Sequence, residues 1–383
     1  MEASILSSRS SIIASIIIVV VVFSAVGGFI FMTNPYVPAK IGVVVTEPGY
    51  GDLSMADQVL TGLRELGGDM VVDYEYHTAA DIAEAGTIIT EMSVAGDYDL
   101  IVVIGGELAG ELSSIASGYP NQKYACIGGE VDADNVYSAT FEQHEGAFLA
   151  GVLAALSSLG DENRTGTGVV GIIASVAADP TVAALIAGFK QGFDYANNTL
   201  NLTVTLLPEV YVNSYNDSDT ARDLAIAMFN PTNPNGDATV IFAPVRASMG
   251  GIRNAMLYAN ASWFGGNSRE PLVIAAEGDQ DYLGLPNTET RSGSSWIITS
   301  VVPRSDHAVY RVINSTLWDN FQGETLVYNL GSAGNDLETP GVTLTHSDFI
   351  NYEWTPRALY TILDSIRQEI ISGTIIVEET YTP

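Results

Sequence analysis

The sequence predicts an α/β protein: two doubly wound parallel-sheet lobes behind one apolar N-terminal segment. Three observations carry this. Short continuous β-branched runs alternate with helical stretches; the alternation restarts near residue 169; and residues 12–32 are uncharged and mostly apolar. Alternation of this kind favours parallel sheets joined by right-handed crossovers.

The elements follow in order. Residues 12–32 can span a hydrocarbon core of about 30 Å once, at about 1.5 Å rise per residue. A cleaved secretory signal is the rival reading, but a signal's apolar region is typically about 7–15 residues. Residues 1–11 are a short leader, and 33–39, with two prolines, a linker. Residues 41–45 are a continuous apolar run, as a buried parallel strand should be. Ser54 can cap a helix over 54–66. Strands at 70–74, 100–104, 123–127 and 136–140 alternate with helices at 79–95 and 107–117, and a long Ala-rich helix covers 142–159. The second round has strands at 169–173, 203–207, 239–242, 272–276 and 296–302. Its helices fall at 181–196, 217–229, 249–260 and 306–318.

Charge narrows the function. Forty-five acidic against 15 basic residues give a formal net charge of −30. Nucleic acid is excluded as a partner, because phosphate binding needs clustered Lys and Arg. The surface suits an external aqueous medium. Six Asn-x-Ser/Thr sequons, at Asn163, Asn197, Asn201, Asn216, Asn260 and Asn314, are glycosylation candidates and place the domain on the extracellular face of a cell membrane. The single cysteine, Cys126, lies in an apolar run and reads as a small core residue.

Catalytic signals are poor. The chain has no Gly-x-Ser-x-Gly elbow, HExxH, P-loop or CxxC, and its four histidines are scattered. No cofactor or metal is expected, and the protein reads as a non-enzyme. What stands out are polar loops at the carboxyl ends of strands, where open α/β sheets bind ligands: 47–52 with Asp52, 213–217 with Tyr215, and 277–281 with Glu277 and Asp279. Carboxylates there can accept hydrogen bonds from hydroxyls or an amine, and a tyrosine can stack on a flat ring. Helix capping and turn chemistry explain any one of them equally well; three at equivalent positions favour binding.

These loops carry a resemblance to a family. Asn135-Val-Tyr-Ser-Ala-Thr-Phe141 and the following run 145–155, EGAFLAGVLAA, are its most recognisable segment. Gly188-Phe-Lys-Gln-Gly192, Ser214-Tyr-Asn-Asp217, Glu277-Gly-Asp-Gln280, Thr299-Ser-Val-Val302, Gly341-Val-Thr-Leu344 and the closing stretch 370–377 follow in order. The chain resembles the basic membrane protein family of surface substrate-binding proteins, which includes purine nucleoside-binding lipoproteins of ABC importers. The resemblance implies a type I periplasmic-binding fold crossed three times by the chain, with one lobe at 40–138 and 303–325 and the other at 139–302 and 326–383. It also implies a small-molecule ligand, nucleoside-like, and an ABC permease as partner. Ligand contacts would fall on Asp52, Ser54, Met55, Tyr215, Glu277, Asp279 and Arg304.

The departures from the family pattern are specific. Thr46 stands where the nucleoside binders have aspartate, Ser54-Met55-Ala56 replaces a triplet with a stacking ring and an amide, Gly128 replaces a second aspartate, and Pro303 a lysine, with Arg304 beside it. Two readings follow. The first is a membrane-anchored extracellular solute-binding protein, in which residues 12–32 replace the family's lipidated cysteine. The second is a structural cell-surface component that keeps the fold and self-assembles through the N-terminal helix.

Overall fold

The computed structural model describes residues 38–382 apart from 70–71, 162–163, 266–267, 337 and 346–356. The apolar run 12–32 and most of the linker therefore lie outside the described residues. Among those described, no helix is long and apolar enough to cross a membrane.

Two sheets organise the unit that begins at Lys40. The first contains β1 (Ala39–Thr46), β2 (Val72–Ala79), β3 (Leu100–Ile104), β4 (Tyr124–Ile127), β5 (Val136–Phe141) and β12 (Thr325–Tyr328), in the order β12-β5-β4-β3-β1-β2. The second contains β6 (Val169–Ala174), β7 (Thr205–Leu206), β9 (Val240–Ala243), β10 (Leu272–Ala276), β11 (Ile297–Pro303) and β13 (Val342–Leu344), in the order β13-β11-β10-β9-β6-β7, with β8 (Val210–Tyr211) also on β6. Leaving aside β8, β12 and β13, each sheet runs second-first-third-fourth-fifth, and the pairings β1–β3, β3–β4, β4–β5, β7–β6, β6–β9, β9–β10 and β10–β11 are parallel. Strand membership makes the chain pass between the sheets three times: after β5, after β11 and after β12.

Local chemistry accounts for the elements. β3 and β10 are wholly buried, which their unbroken apolar sequences permit only between two helical layers. Helix α1 is Met55–Asp69, α2 Ile82–Ala95, α3 Ala109–Gly118, α4 Gln143–Ser158, α5 Pro180–Asn198, α6 Ser218–Phe229, α7 Met249–Ala259, α8 Ser305–Leu317 and α9 Arg357–Ile371. Asp81 caps α2 by accepting from the Glu84 N–H, and Asp217 caps α6 through Thr220. Helices α4 and α5 meet through glycines: a Cβ on Gly192 would lie 1.9 Å from the Phe148 carbonyl oxygen.

Among the described residues, the two-residue β8, β12, β13 and α9 were not anticipated. β12 is a four-residue strand that pairs only once β5 is in place. β13 is three residues long and antiparallel to β11. α9 lies on the second lobe, where Leu363, Ile366 and Ile370 enter the core that holds α4. Short edge strands carry too little periodicity to be read without the sheet they join.

A cleft between two lobes as the candidate functional site

The equivalent strand order puts equivalent loops face to face. The carboxyl ends of β1, β3 and β4 supply one wall, those of β6, β9 and β10 the other, and between them lies a cleft of about 740 Å³. Clefts of this size hold metabolite-sized ligands.

The first wall is built from small groups and backbone. Asp57, in the first turn of α1, folds back to accept the N–H groups of Gly51 and Leu53 at 2.9 and 2.8 Å, which pins the β1–α1 loop. Within that loop Asp52 Oδ1 accepts the Ser54 N–H at 2.9 Å, while Asp52 Oδ2 is buried with no protein partner. Burial pushes the Asp52 carboxyl above its ordinary range, against the hydrogen bonds from Ser54. Thr46 donates to Glu107 at 2.7 Å. Gly128, in the left-handed region at φ 96°, leaves room for a side chain from elsewhere: a Cβ there would lie 3.0 Å from Met55 Sδ. The Met55 thioether therefore fills space that a side chain at 128 would claim.

The second wall carries an ion-paired cluster. Arg246, after β9, donates to Glu277 Oε1 through Nε at 3.0 Å, and its Nη2 lies 3.0 Å from the same oxygen and 3.6 Å from Asp179 Oδ2. The guanidinium lies 4.4 Å from the centre of the Tyr215 ring, and the Tyr215 hydroxyl donates to Asp179 Oδ2 at 2.8 Å. Burial works against the Arg246 charge, but Glu277, Asp179 and Glu107 outweigh it and hold the group above its ordinary pKa. Burial raises the Tyr215 hydroxyl, reinforced by Asp179, so it stays a donor. Arg246 and Glu277 both sit in the left-handed region, at φ 48° and 67°. For non-glycine residues this is uncommon and tends to mark functional sites. Glu277 is 2% exposed, and its Oε2 has no protein partner.

The two walls touch at one end. Gln280 Nε2 donates across the lobes to the Asp52 carbonyl at 2.6 Å. Gly278 sits where a Cβ would be 2.0 Å from the Leu53 carbonyl oxygen.

Of the residues expected to contact ligand, Asp52, Ser54, Met55, Tyr215 and Glu277 line this cleft; Asp279 and Arg304 do not. Asp279 turns to its own chain and accepts the Asp281 N–H at 3.1 Å. Arg304 is drawn onto Asp306, two residues on, at 2.7 Å, with His307 beside it. Sequence reasoning passed over Asp179, Arg246 and Glu107. Their signal was positional: each lies in a loop or turn after the carboxyl end of a strand. His144, one of four scattered histidines, stands 3.2 Å from Glu142 at the first crossing, with Glu379 close enough that the three offer converging ligand atoms.

Among the sequons, Asn163 lies outside the described residues. Asn201 and Asn216 are exposed; Asn197, Asn260 and Asn314 are partly buried. The Asn197 amide is already used, bonding both ways with the Val204 backbone.

Two doubly wound lobes enclosing a cleft of ion-paired and unpartnered polar groups are an architecture shared with two-lobed solute-binding proteins. A solute-binding protein of an ABC transporter system from Aeropyrum pernix has the same fold, with a TM-score of 0.72 and 23% identity over 89% of this chain and 94% of that one. The family follows from the sequence: the Bmp model, described as ABC transporter substrate-binding protein PnrA-like, matches residues 39–380, and the chain belongs to this family. It is a family of solute-binding proteins, not of enzymes. The nucleoside-binding protein BmpA of Lactococcus lactis is 24% identical over 323 residues, covering 81% of this chain and 84% of that protein. An uncharacterized lipoprotein of Pyrococcus furiosus is 23% identical over 297 residues, covering 77% and 69%.

Proposed function

We propose that this chain is the ligand-capturing component of an ABC importer, holding a small metabolite rich in hydrogen-bond donors, of nucleoside size, in the cleft between its lobes. The observation that carries this is the pair of unpartnered carboxylate oxygens, Asp52 Oδ2 and Glu277 Oε2, each on a residue that is at least nine-tenths buried and lines the same cleft from opposite lobes. An acceptor left unpaired in a buried site costs about 1–3 kcal/mol, and more for a charged group; a ligand that donates to both recovers this and draws the lobes together. Asp52, Ser54 and Met55 would contact ligand from one side, Tyr215 and Glu277 from the other. A nucleoside is the reference ligand, since the Lactococcus relative is named for binding one.

The domain would work on the extracellular face, held to the membrane through residues 12–32 and delivering ligand to a permease. The rival reading, a self-assembling surface component, rests on residues outside those described and draws no support from a cleft whose charged groups point inward.

Thermal shift against a nucleoside panel tests the proposal. A ligand at 100-fold its Kd adds about 2.7 kcal/mol of stability, so a clear rise in melting temperature is expected with at least one nucleoside. No shift with any of them would remove the nucleoside version.

A further inference from the structure

We infer that the cleft selects a cation: a ligand of nucleoside size bearing a positively charged nitrogen between Asp52 and Glu277. This rests on the solute-binding reading and specifies its ligand. Among the described residues, six carboxylates line the cleft, those of Glu47, Asp52, Asp81, Glu107, Asp179 and Glu277, against one guanidinium, Arg246. That guanidinium is already engaged, bonded to Glu277 Oε1, close to Asp179 and laid over Tyr215. No lysine lines the cleft. The groups left over are the second oxygens of Asp52 and Glu277, at residues 8% and 2% exposed.

An ionised carboxylate only accepts hydrogen bonds. A phosphate or carboxylate on the ligand would meet these oxygens as like charge, and a neutral hydroxyl would satisfy their geometry while leaving the excess negative charge in place. A charged nitrogen does both tasks, and the bond is of the stronger, charge-assisted kind. Met55, Ile82 and Ile104 on the first wall give the rest of such a ligand an apolar surface. Glu47, Asp81 and Glu107 are exposed, and the low-dielectric walls concentrate the field of the less exposed Asp52, Asp179 and Glu277.

Calorimetric titration of the full chain at neutral pH with adenosine and with 1-methyladenosine, which is cationic there, tests this. Agmatine serves as a cation that is not a nucleoside. The expected result is that 1-methyladenosine binds at least about tenfold more tightly than adenosine, a gap that narrows as salt rises from about 0.05 to 0.5 M. Asp52→Asn, which keeps the Oδ1 acceptor for Ser54, should erase most of the gap, with the melting temperature of the ligand-free variant showing that it folds. Equal binding, or tighter binding of adenosine, overturns the cation inference and leaves the nucleoside reading standing. Binding of agmatine alone keeps the inference and removes the nucleoside. Binding of none of the three removes both.

Discussion

The two walls of the cleft share one strand order and are built on opposite principles. The second wall is pre-assembled: Asp179, Tyr215, Arg246 and Glu277 hold one another in a closed set of ion pairs, a hydroxyl bond and a ring contact. The first wall offers glycines, a methionine and the carboxylates of Glu47, Asp52, Asp81 and Glu107, of which Asp52 is buried with an unpartnered oxygen. The contrast separates two tasks. A rigid charged wall sets orientation without reorganising when ligand arrives, and a wall of small groups leaves the volume in which ligands of different shape are accepted.

The comparison can be broken at its strongest point first. Arg246→Met should destabilise the protein by about 3–5 kcal/mol, because it leaves Glu277 buried and uncompensated with Asp179 beside it; urea unfolding measures this. If the loss is below about 1 kcal/mol, the second wall is not the rigid one. Gly278→Ala comes next. Its Cβ would strike the Leu53 carbonyl oxygen, and overpacking of this kind costs about 1–3 kcal/mol. The contact joins the two lobes, so ligand affinity should fall along with stability, and a variant that loses neither would show the lobes are not held together there.

A pH series sharpens the difference. Burial raises the Asp52 carboxyl in the folded chain, so the folded state binds that proton more readily than the unfolded state. The sign follows: above the raised value Asp52 costs stability, and as pH falls from neutral toward the ordinary carboxylate value of about 4 that cost is relieved. Glu145 and Glu270 are raised by burial as well and act in the same sense. In melting curves between pH 4.5 and 8, wild type minus Asp52→Asn should show stability rising as pH falls. A cationic ligand should bind better as pH rises through the same window. The smallest effect belongs to the first wall: Thr46→Val removes a hydrogen bond to an exposed glutamate, for a loss of about 1 kcal/mol or less.

Much of this was legible in the chain. The strand at 272–276 and the polar loop after it located Glu277, and the segment 214–217 located Tyr215, because a β-branched run ending in a polar loop marks the carboxyl edge of a buried strand. Arg304 misled for a local reason: Asp306, two residues away, captures it, and local pairing wins over a distant pocket. Asp179 was hidden by a second role, since it also caps α5 by accepting from Thr181. Arg246 carries no local signal that singles it out among the twelve arginines of the chain.

The sequence by itself determined the parallel sheets, the family and several of the loops that line the cleft. Periodicity and turn chemistry act over a few residues, and those features are local. Only the tertiary structure decided which charges neutralise one another and which remain free. Asp179, Arg246 and Glu277 follow three different strands and meet because the order β10-β9-β6 lays their ends side by side. Asp52 and Glu277 share a cleft because the loops of two different sheets face each other across it. Charge pairing depends on distances across the fold, and no spacing along the chain encodes them.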